Sequence, residues 1–211
     1  MTPSRLGRPV GASGEGTRMR IIFAAMKCVA EVGYARATIR EIARMANVTS
    51  ASLYNYFSNK SELIKATVVA RAEFAMPLLR EAAEGPGDVV SRIEAVLDEC
   101  ARLVRRYPDL AAFEWAIRAN QGMILDVPDT AGQLGSEAGF TTFRQLIQGI
   151  VDEADRAGEL SPGADPAAVV EMIYALVFGL TELAATSPVD DYLAAVDAAK
   201  VMVRGALLET A

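Results

Sequence analysis

Apolar residues recur at the helical period of about 3.6 along nearly the whole chain, and no stretch sustains strand-like alternation. The sequence therefore predicts helices throughout. Between Thr17 and Val32, Ile21, Ile22, Ala25, Met26, Cys28, Val29 and Val32 mark one apolar face, with Gly33 as the expected stop. Thr38 and Glu41 form a T-x-x-E capping box, so a second helix should begin at Ile39 and bury Ile42, Ala43 and Ala46. Asn47 tolerates the left-handed conformation that ends a helix, and Val48 supplies the apolar plug beneath the turn. Thr49 can cap the next helix, in which Leu53 and Phe57 face inward while Ser50, Ser52, Tyr54, Asn55 and Tyr56 face outward or sideways.

Asn59 with Glu62 repeats the cap pattern and opens a helix expected from Lys60 to about Glu84, where Gly85-Pro86-Gly87 breaks it. Five more helical segments follow: about Val89 to Arg106, Asp109 to Gln121, Ser136 to Ala157, Pro166 to Thr186 and Val189 to Leu208. Pro108, Pro128, Gly158, Pro162 and Pro188 separate them. The helix after Asp165 is apolar nearly all round, so it must bury two faces. One can pack on its own subunit. Ala175 and Gly179, small residues four apart, would let a second copy approach the other, and Val196, Ala199, Val203 and Leu207 give the last helix a matching stripe. The expectation is a homodimer built on these two helices.

The overall charge of −6 changes this picture only once it is divided. Met1 to Thr67 holds ten Lys and Arg against four acids, a balance of +6, and Val68 to Ala211 holds eleven against twenty-three, a balance of −12. A basic head on an acidic body fits a head that meets nucleic acid and a body that phosphate repels. Met1 to Gly16, rich in Gly, Pro, Ser and Thr, is expected to be a mobile basic arm. Within it Arg5-Leu6-Gly7-Arg8-Pro9 is similar to the core of an AT-hook, in which Arg5 and Arg8 would enter the minor groove.

Cys28 and Cys100 lack C-x-x-C spacing and each sits among apolar neighbours, so both are expected to be buried thiols in a reducing compartment. No charged-then-apolar leader is visible, and the run from Met172 to Leu180 is too short for a bilayer, so a cytoplasmic protein without membrane contact is expected. The chain has no His, which removes the usual general base, the Ser-His and Cys-His nucleophile pairs and imidazole metal ligands. No enzymatic activity, cofactor or metal is expected.

Gly33-Tyr34, Thr38 with Ile42-Ala43, Val48, Leu53-Tyr54-x-Tyr56-Phe57 and Asn59-Lys60-x-x-Leu63 together resemble the DNA-binding domain of the tetracycline-repressor (TetR) family, over about Thr17 to Thr67. Asn47 stands where that family more often has Gly, and Tyr56 where it often has His. The resemblance implies an all-α fold in which a basic arm (1–16) and a three-helix helix-turn-helix domain (17–67) precede a larger helical domain (68–211) for ligand binding and dimerisation. It implies a regulator, expected to be a repressor, that binds double-stranded DNA as a dimer and is released by a small-molecule effector; the competing expectation is a helical carrier or adaptor that does not bind DNA.

Carried over residue by residue, the resemblance implies that Arg40 reaches DNA from the second helix and that Ser50, Ala51, Ser52 and Asn55 lie where base edges are read. Thr49, Tyr54, Tyr56 and Lys60 are implied to grip phosphates. In the larger domain Phe74, Phe113, Trp115, Met123, Phe143, Ile147, Met172 and Phe178 offer apolar and aromatic material for an effector, expected to be apolar or amphipathic. Glu114 and Arg118, four apart, are expected to form an exposed helical ion pair.

Overall fold

The computed structural model describes residues 10–120 and 137–205, and these form nine α-helices among the described residues. They are α1 (Val10–Arg36), α2 (Ile39–Met45), α3 (Ser50–Tyr54), α4 (Lys60–Ala83), α5 (Val89–Arg106), α6 (Pro108–Arg118), α7 (Glu137–Ala157), α8 (Pro166–Thr186) and α9 (Val189–Val203). The expected limits hold to within a few residues from α2 to α5 and for α8. Arg5, Arg8, Met123 and Leu207 lie outside the described residues.

Three boundaries differ. Helix α1 begins at Val10, so the expected arm of residues 1–16 is helical over its last seven positions. At the other end Gly33 bends α1 without ending it, taking a φ of 78° before helical backbone resumes as far as Arg36. Helix α6 stops at Arg118 rather than Gln121, with Ala119 as its C-cap.

Two apolar cores hold the chain together. The first joins α1, α2, α3 and the start of α4 through Ile21, Ile22, Val29, Ile42, Leu53, Phe57, Leu63 and Ile64, each almost fully excluded from solvent. Phe113 and Ile117 of α6 belong to this core, and α6 packs extensively on α1. The head core is thus completed by a helix some fifty residues beyond Thr67. The second core unites the later part of α4 with α5, α7, α8 and α9 around Leu79, Val96, Leu97, Ile147, Ile150, Val170, Ile173, Tyr192 and Val196.

Helix α8, 21 residues with a mean hydropathy of 1.7, is long and apolar enough by length and composition to cross a membrane, which corrects the expectation that no segment is. It packs against α6, α7 and α9. Val170, Ile173 and Leu180 turn into the body, while Met172, Ala175, Phe178, Gly179 and Leu183 remain exposed. Two dimer-stripe positions expected on α9 are corrected: Val196 and Ala199 are buried in their own subunit's core, because α9 packs on both α5 and α8.

Candidate nucleic-acid interface and a buried cavity

The turn between α2 and α3 is held entirely by local bonds. Thr38 starts α2 by accepting the Glu41 backbone N–H at 3.2 Å. At the other end Asn47 takes a φ of 54°, so the Val48 N–H reaches back to the Ala43 carbonyl at 2.9 Å and the Asn47 N–H to Arg44 at 3.1 Å. These are the two reversed bonds of a Schellman turn. Thr49 then accepts the Ser52 N–H at 3.0 Å and starts α3, only five residues long. So short a helix has little stability of its own. Leu53 and Phe57, both buried, pin it to the head core.

What remains outside α3 is polar. Thr49, Ala51, Tyr54 and Asn55 are exposed, Tyr54 by 53%, and Ser50, Ser52 and Tyr56 are half-buried. Tyr56 packs partly against the head core. On α2 Arg40 is exposed, whereas Arg44 is engaged by Glu41 through contacts of 2.6 and 3.2 Å, and that pairing holds the Glu41 carboxyl below its ordinary range. Beyond α3, Asn59 caps α4 by accepting the Glu62 N–H at 2.9 Å. The Glu62 carboxylate returns to the Ser58 N–H at 2.7 Å and to the Ser58 hydroxyl, closing a capping box. Lys60 departs from the expected phosphate grip: its ammonium donates to the Tyr34 carbonyl and lies 4.2 Å from the centre of the Tyr34 ring. It therefore ties α4 to the end of α1, and partial burial lowers its pKa.

The body contains a cavity of about 100 Å³ between α4, α5, α6, α7, α8 and α9. Its wall is mainly apolar, with Ala75, Met76, Leu79, Leu97, Leu103, Phe143, Val177 and Val196 among the lining residues. Of the eight residues expected to meet an effector, only Phe143 lines it. Phe113 and Ile147 are sealed in the two cores, Phe74 and Met172 are exposed, and Trp115 is half-buried away from the cavity wall. Phe74 instead meets Tyr107 edge to face at 5.2 Å. Phe178 is also exposed but stands beside the wall, its ring 4.3 Å from the Arg118 guanidinium.

The polar part of the wall corrects the expectation of an exposed Glu114–Arg118 pair. Glu114 is 8% exposed, and its two carboxylate oxygens pair with Arg71 of α4 and Arg118 of α6. Desolvation pushes both guanidinium pKa values down to about 10, with Arg118 adding its repulsion at Arg71. Both stay protonated at neutral pH. Cys100, also lining the cavity, is pushed up to about 12 by burial and is a neutral thiol. Spacing alone signalled Glu114 with Arg118; nothing in the sequence placed Arg71 beside them, since the three meet only through packing of α4 on α6.

Residues 21–67 match the sequence model of the family described as "Bacterial regulatory proteins, tetR family". The chain is similar to the uncharacterized HTH-type transcriptional regulator YdeS of Bacillus subtilis, at 24% identity over 83% of this chain and 81% of that protein. It is also similar to the HTH-type transcriptional regulator UidR of Escherichia coli K12, at 25% identity over 78% of this chain and 79% of that one. Among solved structures, the transcriptional regulator FadR from Bacillus subtilis in complex with stearoyl-CoA shares the fold with a TM-score of 0.70 and 20% identity, over 90% of this chain and 99% of its own. Salmonella enterica GusR does so with a TM-score of 0.68 and 21% identity, over 97% and 99%.

Proposed function

With residues 21–67 belonging to the tetR family of bacterial regulatory proteins and carried on an all-α body, we propose that the chain acts in the cytoplasm as a homodimeric repressor. It reads a near-palindromic operator and is released by a small effector bound in the body. The observation that carries this reading is α3: a five-residue helix with both start and preceding turn fixed by hydrogen bonds, buried on Leu53 and Phe57 and polar outside. A helix held this rigidly can present Ser50, Ala51, Ser52 and Asn55 to base edges, while Thr49, Tyr54 and Tyr56 meet phosphates. Arg40 extends the contact from α2. Arg5 and Arg8 would add minor-groove contacts.

Dimerisation follows from the exposed face of α8, where Ala175 and Gly179 permit close approach of a second α8 and Val203 borders the seam. Two heads bound together lose affinity with salt about twice as steeply as one, because each neutralised phosphate releases counterions. The division at residues 67 and 68 is functional rather than structural, since α6 serves both parts. The cavity supports an apolar or amphipathic effector, and the stearoyl-CoA bound to FadR supports the same chemistry.

Coupling runs through α6. Movement of Glu114 or Arg118 around an effector must move Phe113 and Ile117, which are fixed in the head core. The effector then shifts the population of head orientations that fit DNA. Selection of full-length protein against a random duplex pool, followed by affinity measurements at several salt concentrations, tests the central claim. The expected result is an enriched palindrome with log affinity falling linearly in log salt. A pool that yields no common sequence would overturn it and favour a carrier without DNA binding.

A further inference from the structure

The charge at the polar end of the body cavity does not balance. Arg71 and Arg118 share the one carboxylate of Glu114, and no other Asp or Glu is among the residues lining the cavity. Each Glu114 oxygen is already taken by one guanidinium, and Arg71 Nε is buried with no hydrogen-bond partner. The other polar groups on the wall cannot supply a negative charge. Burial keeps the Cys100 thiol and the Tyr192 phenol protonated, and the Thr181 hydroxyl donates to the Val177 carbonyl at 2.9 Å. Lys200 and Asp98 pair with each other, and Glu99 pairs with Arg102. One excess positive charge therefore sits against an apolar space, an arrangement that costs free energy until an anion joins it.

We propose that the cavity takes a small amphipathic monoanion, its carboxylate against Arg71 and Arg118 and its hydrocarbon part among Met76, Leu79, Leu97 and Leu103. This rests on the reading of the body as an effector sensor and specifies the class of effector. Carboxylate matches the planar donor fork of arginine, and a charge-assisted pair formed away from water is stronger than a neutral hydrogen bond. The volume limits the tail. An apolar cavity of roughly 150 Å³ holds one benzene, so a space of about 100 Å³ fits a short chain or a small ring. The carboxylate would compete with Glu114 for its two partners, and Glu114 lies on the helix that enters the head core. Recognition and release would then begin at the same side chain.

Calorimetric titration of the full-length protein at pH 7 with hexanoate, hexan-1-ol and hexylamine tests the proposal. Hexanoate is expected to bind about tenfold or more tighter than hexanol, the size of one charged hydrogen bond, and hexylamine more weakly than either. Arg71→Met removes the excess charge and should bring the hexanoate-to-hexanol ratio close to one. Glu114→Gln raises the excess and should increase that ratio. A general loss of structure cannot move the two variants in opposite directions, and if Arg71→Met does not fold, Glu114→Gln alone decides by the sign of its change. Equal affinity for hexanoate and hexanol in the parent protein, or no binding of hexanoate in the millimolar range, would overturn the proposal. A parallel titration of the operator complex separates it from the broader reading. Hexanoate that binds the cavity but leaves DNA occupied upholds the anion site and overturns effector release; hexanol that binds equally and frees DNA does the reverse.

Discussion

Phe113 and Glu114 are consecutive on α6 yet lie in different compartments: Phe113 is sealed in the head core with Ile21, Leu63 and Val68, and Glu114 sits in the body between two arginines. A helix turns by about 100° per residue, so neighbouring side chains serve different faces, and α6 is thin enough for its two faces to touch both cores. Phe113→Ala should therefore lower the unfolding free energy by about 3–5 kcal/mol, as expected for an aromatic ring removed from a closed site. Phe113→Leu should cost less while loosening the joint between cavity and head. Urea denaturation checks the first effect. For the second, the ratio of operator affinities with and without effector should fall toward one, and an unchanged ratio would show that α6 does not transmit.

Tyr54 and Lys60 should separate where the sequence pattern would group them. Tyr54 is more than half exposed, so Tyr54→Ala should change stability by no more than about 0.5 kcal/mol while weakening operator binding about tenfold. Lys60 lies over the Tyr34 ring and donates to the Tyr34 carbonyl, so Lys60→Ala should destabilise the head, by about 0.5–2 kcal/mol from the ring contact. Thermal melts paired with fluorescence anisotropy on operator DNA would show the contrast.

The capping box at the start of α4 gives the head a defined response to acid. The Ser58 hydroxyl and N–H hold the Glu62 carboxyl below its ordinary range. A folded-state pKa lower than the unfolded one contributes stability that is complete above the unfolded value and disappears as pH falls through the folded one. Glu62→Gln should be less stable than the parent at pH 7, by about 1 kcal/mol as for other lost caps. The gap should narrow as pH falls below about 4, near the ordinary carboxylate value. Urea midpoints at both pH values measure it.

Local rules made the head legible. Thr38 with Glu41, Asn47, Thr49 and Asn59 each act within four residues, and each occupies the cap or turn position its chemistry demands. The body was legible as helices but not as a site, because a cavity is a product of how helices pack. Phe113 and Ile147 carry the apolar character of ligand contacts, yet their helix faces turn into the cores. Arg71 looked like one more solvated charge until α4 met α6. Gly33 misled in the other direction: a left-handed glycine signals a break, but Val32, Tyr34 and Ala37 pack on the same head core and carry the helix past it.

Gly179 offers the clearest test of the dimer. A Cβ added there meets nothing within 4 Å in its own subunit, and Gly179 is exposed on α8 near Ala175 and Leu183. A substitution at this position is therefore silent in the isolated subunit and disruptive only where a second copy covers the helix. Replacing Gly by any ordinary residue also favours helix by about 1 kcal/mol, so the monomer should lose no helicity. Gly179→Arg would place a long cation in the proposed α8–α8 contact, where it lacks a partner and prevents close approach. The expected outcome is an unchanged far-ultraviolet spectrum and a mass near 22.5 kDa by light scattering, with a shallower salt dependence of operator binding as one head replaces two. A variant that remained dimeric with unaltered operator affinity would place the subunit contact away from this face of α8, and the exposed Met172, Phe178 and Leu183 would then need another partner.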